Sequence, residues 1–448
     1  MTAESPTPPP PQSPMTVGDA IRSLTTMFPT DWVEKTARET GLIKRERKVS
    51  PVAMLWVLTL SYGVELERSL AALKRAYRTK TGTTLSDSSW EDRFSPELVR
   101  FFKVCVIHGI EELAKGEGNL LSERLRDFKD ILIQDSTVIR LHEKLARKWP
   151  ATRARKTAAG VKLATLISVV ANGPKRLELT GERTSEVDTI HMGPWVKGSI
   201  LLMDLGFFKY QLFARIAENG GYFVSRLKES ANPVLVRSLR VHRGRAIGLA
   251  GQRWKKVEPL LQREVLDANV DMSFSRRKYG GHRSADTMEV RLVALYDEES
   301  REYHTYVTNI PEDVLTPEEI SKLYGARWEI ELLFKELKGR YALDQVRTTK
   351  SDVVESLIWV AVLTLIISRR LLNLGKASLS PEMRARINPQ LWAKKFVRES
   401  RDILGWVLKL SGVVKSEEEI YEAVMGVWLS DAVDVHIMRE RLRDGLWS

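Results

Sequence analysis

The chain has 448 residues, 43% of them hydrophobic, and a formal net charge of +12; that length suits two to four structural units better than one core. Its single cysteine, Cys105, excludes an internal disulfide and a cysteine-built zinc site, which suits a reducing, cytoplasmic setting. The surplus of Lys and Arg is compatible with a polyanion partner, because bound cations displace counterions from phosphates.

Residues 1–15 carry the Pro-rich run SPTPPPPQSP, expected to be an extended, disordered tail and not a leader peptide. Residues 16–118 are helical in pattern. Thr30 or Asp31 can cap a helix that runs through Thr40, with Gly41 as its stop. Basic clusters lie between the apolar stretches, so this region is expected to bind DNA; a plain helical support is the competing reading.

The pattern changes over residues 119–228. Apolar, β-branched runs at 131–134, 161–171, 175–180, 199–203 and 222–227 predict five strands, with a helix at 209–218. That order predicts an α/β core with a mixed sheet. Residues 229–311 alternate as antiparallel strands at 260–265, 287–296 and 303–309, with a turn at Tyr279-Gly280-Gly281, and are expected to form a β-rich insertion. Residues 312–350 return to the core. From 351 to 448 the chain is again helical, with segments at 358–372, 397–409 and 417–428. The longest apolar run, 357–367, is too short to span a bilayer, so no membrane partner is expected.

Two aspartates follow apolar strands, Asp135 in ILIQDST and Asp204 in LLMDLGFF. A charge there costs desolvation free energy unless it is paired or binds a cation. A third carboxylate, Glu331, lies in YGARWEIELLFKELK, residues 324–338. Read as one helix, Arg327, Glu331 and Lys338 fall within about 60° of Tyr324. Leu323, Ile330, Phe334, Leu337 and Tyr341 make an apolar stripe beside that arc. Spacing alone leaves a surface helix with i,i+4 ion pairs open. Three carboxylates with oxygen donors only suit hard divalent cations such as Mg²⁺ or Mn²⁺.

The spacing Tyr324, Arg327, Glu331, Lys338 resembles the signature of the DDE transposases of the insertion-sequence-four family. Asp135-Ser136-Thr137 and Asp204-x-Gly206-Phe207-Phe208 resemble that family's first two catalytic blocks, and AGVKL from Ala159 is also similar. The match covers roughly residues 130–343. Many relatives have Arg where this chain has Leu205, so a phosphate contact from that position is not expected.

The resemblance implies a ribonuclease-H-like mixed-sheet core with a β-rich insertion, flanked by all-α N-terminal and C-terminal regions. It implies that Asp135, Asp204 and Glu331 are catalytic and hold two Mg²⁺ or Mn²⁺ ions per active site, with Asp135 bridging both. Tyr324, Arg327 and Lys338 would bind DNA. The expected reaction is metal-dependent cleavage and strand transfer at the terminal inverted repeats of an insertion sequence. Double-stranded DNA, both terminal repeats and target, would be the partner. A homodimer in the synaptic complex, paired through residues 351–448, and a nucleoid-associated location are also implied. Arg153, Arg155, Lys156, Arg226 and Lys228 are candidate phosphate contacts, and Trp254, Tyr303 and Tyr306 are candidates to stack a flipped base. The competing readings are a metal-dependent endonuclease without strand transfer and a non-catalytic DNA-binding derivative.

Overall fold

The structure is a computed structural model and describes residues 15–413, except 45–48, 65–68, 84, 117, 153–157, 243–244, 277–283, 345 and 347. The Pro-rich tail, the 417–428 segment, the Tyr279-Gly280-Gly281 turn and Arg153, Arg155 and Lys156 lie outside the described residues.

Six helices come first: α1 (Val17–Met27), α2 (Thr30–Glu39), α3 (Pro51–Val57), α4 (Leu70–Thr81), α5 (Asp87–Glu91) and α6 (Pro96–Lys115). Their ends follow local chemistry. Thr16 and Asp19 cap α1 reciprocally, Ser50 and Ser69 cap α3 and α4, and Gly82 closes α4 in the left-handed region. Next come β1 (Ile131–Leu141), β2 (Ala159–Ser168), β3 (Gly173–Gly181), β4 (Ile200–Met203), α7 (Tyr210–Glu218) and β5 (Tyr222–Arg226). These are followed by β6 (Val234–Ser238), β7 (Val241–His242), β8 (Arg245–Ala246), α8 (Trp254–Val257), β9 (Val265–Ser275), β10 (Ala285–Asp297) and β11 (Glu302–Thr308). The last helices are α9 (Pro317–Gly325), α10 (Trp328–Arg340), α11 (Ser351–Ala377), α12 (Pro381–Arg386) and α13 (Pro389–Leu410).

Nine strands form one mixed sheet in the order β3-β2-β1-β4-β5-β11-β10-β9-β6. β1, β4 and β5 are parallel, and the other pairings are antiparallel. Strands from the 229–311 stretch thus continue the core sheet through β11, which pairs with β5. The strand predicted at 260–265 is instead the end of a helical turn, Glu258–Leu260, opened by Pro259, and a loop that leads into β9.

The sheet separates two cores. On one side Ile131, Ile133, Val161 and Leu163 pack with α1, α6, α10, α11 and α13; on the other Leu132, Leu201 and Met203 pack with α7 and α8. Among the described residues, only α11 is long and apolar enough to cross a membrane, and most of it is buried inside the helix-side core.

Candidate active site

Asp135 lies inside β1, where the sequence predicts it just past a strand end. The run Ser136 to Leu141 is rich in β-branched residues and continues the antiparallel pairing with β2 to Leu141. The parallel partner β4 is shorter. Gln134 is level with Met203, so Asp135 and Asp204 are the next residues on neighbouring strands, with backbones roughly 4.8 Å apart. Ile131, Ile133 and Ile139 of β1 enter the helix-side core, as do Ile200 and Leu202 of β4. A period of two therefore turns both aspartates toward α10.

Glu331 arrives from above, on α10. The single helix predicted over 324–338 is in fact two, joined at Ala326 and Arg327. Both keep right-handed dihedrals, but the hydrogen bonds there run three residues back: Ala326 N–H to Leu323, Arg327 to Tyr324, Ile330 to Arg327. Gly325, a weak helix former, precedes the joint. The tightening takes Tyr324 off the polar arc. Its side chain is buried, its hydroxyl donates to Met203 O at 3.4 Å, and its ring packs on Tyr306 at 5.3 Å. Burial pushes its pKa up to about 12. Tyr324 thus braces the residue that precedes Asp204.

Arg327 ties the carboxylates together. Its Nη2 donates to Glu331 Oε1 at 2.5 Å, and its Nη1 lies 3.7 Å from Asp135 Oδ2. Lys338 sits farther along β1, where its Nζ donates to Val138 O at 3.1 Å. Burial lowers the Lys338 pKa, and Asp344 opposes the shift. Burial likewise pushes Asp135 up to about 6, with Asp204 and Glu186 adding; the Ser136 N–H, 2.7 Å away, and Arg327 pull the other way.

The three carboxylates present the oxygen-only donor set of a hard divalent cation. Among the described residues, no three Asp, Glu, His or Cys side chains stand close enough together to hold an ion as they are. Arg327 is the cation that reaches two of the three carboxylates.

Sequence reasoning missed two neighbours. Glu186, on a short turn after β3, accepts from Ser136 Oγ at 2.9 Å. No periodicity or motif marks it, because only the fold brings it beside Asp135. Trp328 is 54% exposed, next to Arg327. Its place about 140° from the apolar stripe on a helical projection was legible and is the signal that could have found it. Of the expected stacking residues, Trp254 and Tyr306 are buried, and the Tyr303 hydroxyl donates to Arg263 O at 2.6 Å. Arg226 is exposed at the end of β5, and Lys228 is exposed just beyond it.

Residues 126–367 match the family described as the transposase DDE domain, more than half of the chain. The chain belongs to that family. This transposase is 23% identical to the transposase for insertion sequence element IS231F of Bacillus thuringiensis subsp. israelensis, over 75% of this chain and 76% of that one. It is 19% identical to the transposase for insertion sequence element IS1151 of Clostridium perfringens, over 80% and 81% of the two chains. A shorter match, 32% identical but over 16% of this chain and 20% of the other, links it to the putative transposase InsL for IS186A of Escherichia coli K12. All three carboxylates of the transposase lie within the matched residues.

Proposed function

We propose that the protein cleaves DNA at the terminal inverted repeats of an insertion sequence and joins the freed ends to a target, with Asp135, Asp204 and Glu331 as the catalytic carboxylates. One observation carries this reading: Asp135 in β1 and Asp204, the residue just past the end of the neighbouring parallel strand β4, face a helix whose Glu331 shares Arg327 with Asp135. The strand order β3-β2-β1-β4-β5, with only β1, β4 and β5 parallel, supports a ribonuclease-H-like core.

Asp135, Asp204 and Glu331 would hold Mg²⁺ or Mn²⁺, two ions in the family's scheme. When bound, these supply an activated oxygen nucleophile and a stabilised leaving oxygen for in-line phosphoryl transfer. Arg327 would then release the carboxylates and take a DNA phosphate, a geometry its planar fork suits. Lys338 supplies a second positive charge along β1. Tyr324 holds the end of β4, and with it Asp204, in place. The exposed Trp328 offers a face on which an unpaired base can stack.

On the α7 side of the sheet, opposite α10, a cleft of about 920 Å³ is lined by Asp188, His191, Lys209, Arg215 and Arg276, a partly basic surface that DNA outside the site could follow. Residues 16–118 would recognise the terminal repeats, and residues 351–448 would pair two protomers in the synaptic complex.

The test is a strand-transfer assay with pre-cleaved terminal-repeat duplexes, Mg²⁺ and a plasmid target. Wild-type protein is expected to give joined product and Asp204→Asn none. Nicked or cut plasmid without joined product would establish the endonuclease reading instead. Joining that survives Asp204→Asn would remove Asp204 from the site.

A further inference from the structure

Glu186 lies on the short turn Glu186–Thr189 between β3 and β4, apart from every motif of the site. Both ends of its carboxylate meet the segments that carry the aspartates. Oε1 accepts from Ser136 Oγ at 2.9 Å, the residue after Asp135. Oε2 lies against Gly206, two residues after Asp204, so closely that a Cβ there would stand 2.0 Å from it. A side chain at 206 would therefore have to push the Glu186 carboxylate aside, and nothing else lies within 4 Å of that position. The residue is half-buried, and among the described residues no Lys or Arg forms an ion pair with it.

A neutral side chain of the same length would satisfy Ser136 equally well and would avoid repulsion by Asp135 and Asp204. A carboxylate held there is costly unless its charge is used. We propose that Glu186 is a positioning residue of the active site: it fixes the Asp135–Ser136 and Asp204–Gly206 segments relative to each other, and its charge strengthens the hold of the carboxylates on a divalent cation. The inference rests on Asp135, Asp204 and Glu331 being the catalytic carboxylates.

Glu186→Gln keeps shape and hydrogen-bond acceptor while removing charge, and Ser136→Ala removes the hydrogen bond while keeping the charge. The readouts are Mn²⁺ affinity of the DNA-free full chain, by calorimetry, and the Mg²⁺ concentration for half-maximal end cleavage. Glu186→Gln is expected to weaken Mn²⁺ binding by roughly 10- to 100-fold, the usual effect of a residue behind the ligands. It should move the Mg²⁺ midpoint up correspondingly, with cleavage recovering at high Mg²⁺. Ser136→Ala should weaken binding less. Gly206→Ala, which crowds Oε2, should weaken it without altering any charge.

Unchanged Mn²⁺ affinity in Glu186→Gln, with Asp204→Asn abolishing it, would overturn the role of Glu186 and leave the site intact. Unchanged affinity in both variants would overturn the site itself. A loss of cleavage in Glu186→Gln that added Mg²⁺ cannot restore would also overturn the proposed charge effect.

Discussion

Helix α10 carries two Glu–Arg pairs, and they live in different surroundings. Glu336 has no solvent exposure; Arg369 Nη2 donates to its Oε2 at 2.5 Å, and Arg369 Nη1 reaches Asn172 Oδ1 at 3.3 Å. Nearby, Tyr341 donates to Ser368 Oγ at 2.8 Å and Trp392 Nε1 donates to the same oxygen at 3.1 Å. The Glu331–Arg327 pair is of equal length, but its side chains are 34% and 19% exposed, and Arg327 is shared with Asp135. One turn of helix separates a pair enclosed by packing from a pair that can exchange partners. The first fixes α10 to α11. The second leaves its charges open to a ligand.

Removing one partner is the strongest way to break the enclosed pair. Arg369→Ala should destabilise the fold by roughly 3–5 kcal/mol in chemical denaturation, because it strands a buried carboxylate. Arg327→Ala should cost about 1 kcal/mol or less, since that pair is partly solvated. Equal losses would erase the distinction. Next in size, Glu331→Gln should slow end cleavage by about 10³-fold, or about 4 kcal/mol on the barrier, with little change in the urea midpoint. Glu336→Gln should show the opposite pattern: reduced stability, with cleavage retained in the folded fraction.

Asp135 sharpens the comparison through pH. Its folded pKa is raised from 3.8 to about 6, so folding favours the protonated form. That contribution is fully present below about pH 4 and is lost as pH rises through about 6, which amounts to about 3 kcal/mol. In metal-free buffer, wild type should therefore lose about this much stability relative to Asp135→Asn between pH 4 and pH 7. Parallel pH curves from thermal melts would refute the burial of Asp135 as a charge. The smallest effect belongs to Tyr324→Phe. Losing its 3.4 Å hydrogen bond to Met203 O should cost about 0.5 kcal/mol, and end cleavage should fall more than stability does.

Local chemistry was readable where neighbours in the chain decide it. The alternation around Ile131 and Ile133, the β4 run ending at Asp204 and the stripe Leu323, Ile330, Leu337 and Tyr341 all lie buried as their periods require. The chain's membership of the transposase DDE-domain family was readable from the residues around Asp135, Asp204 and Glu331. What escaped the sequence depends on distant contacts. Strand β1 runs past Asp135 because β2 pairs with it there. The 229–311 strands join the core sheet through a β5–β11 pairing about 80 residues apart in sequence. Glu336 falls about 140° from the apolar stripe on a helical projection, so its burial was not legible, and nothing local marks it and Arg369 as partners across 33 residues.

Helix α11 has a consequence for how the chain matures. At 27 residues it is about 40 Å long, and α1, α6 and the turn after α3 all pack against it. Those N-terminal segments leave the ribosome several hundred residues before their partner does. Their apolar faces stay uncovered through most of synthesis, a period in which chaperones are the natural shelter. A chain halted at residue 350 would contain Asp135, Asp204 and Glu331 and still lack the helix against which its first hundred residues pack.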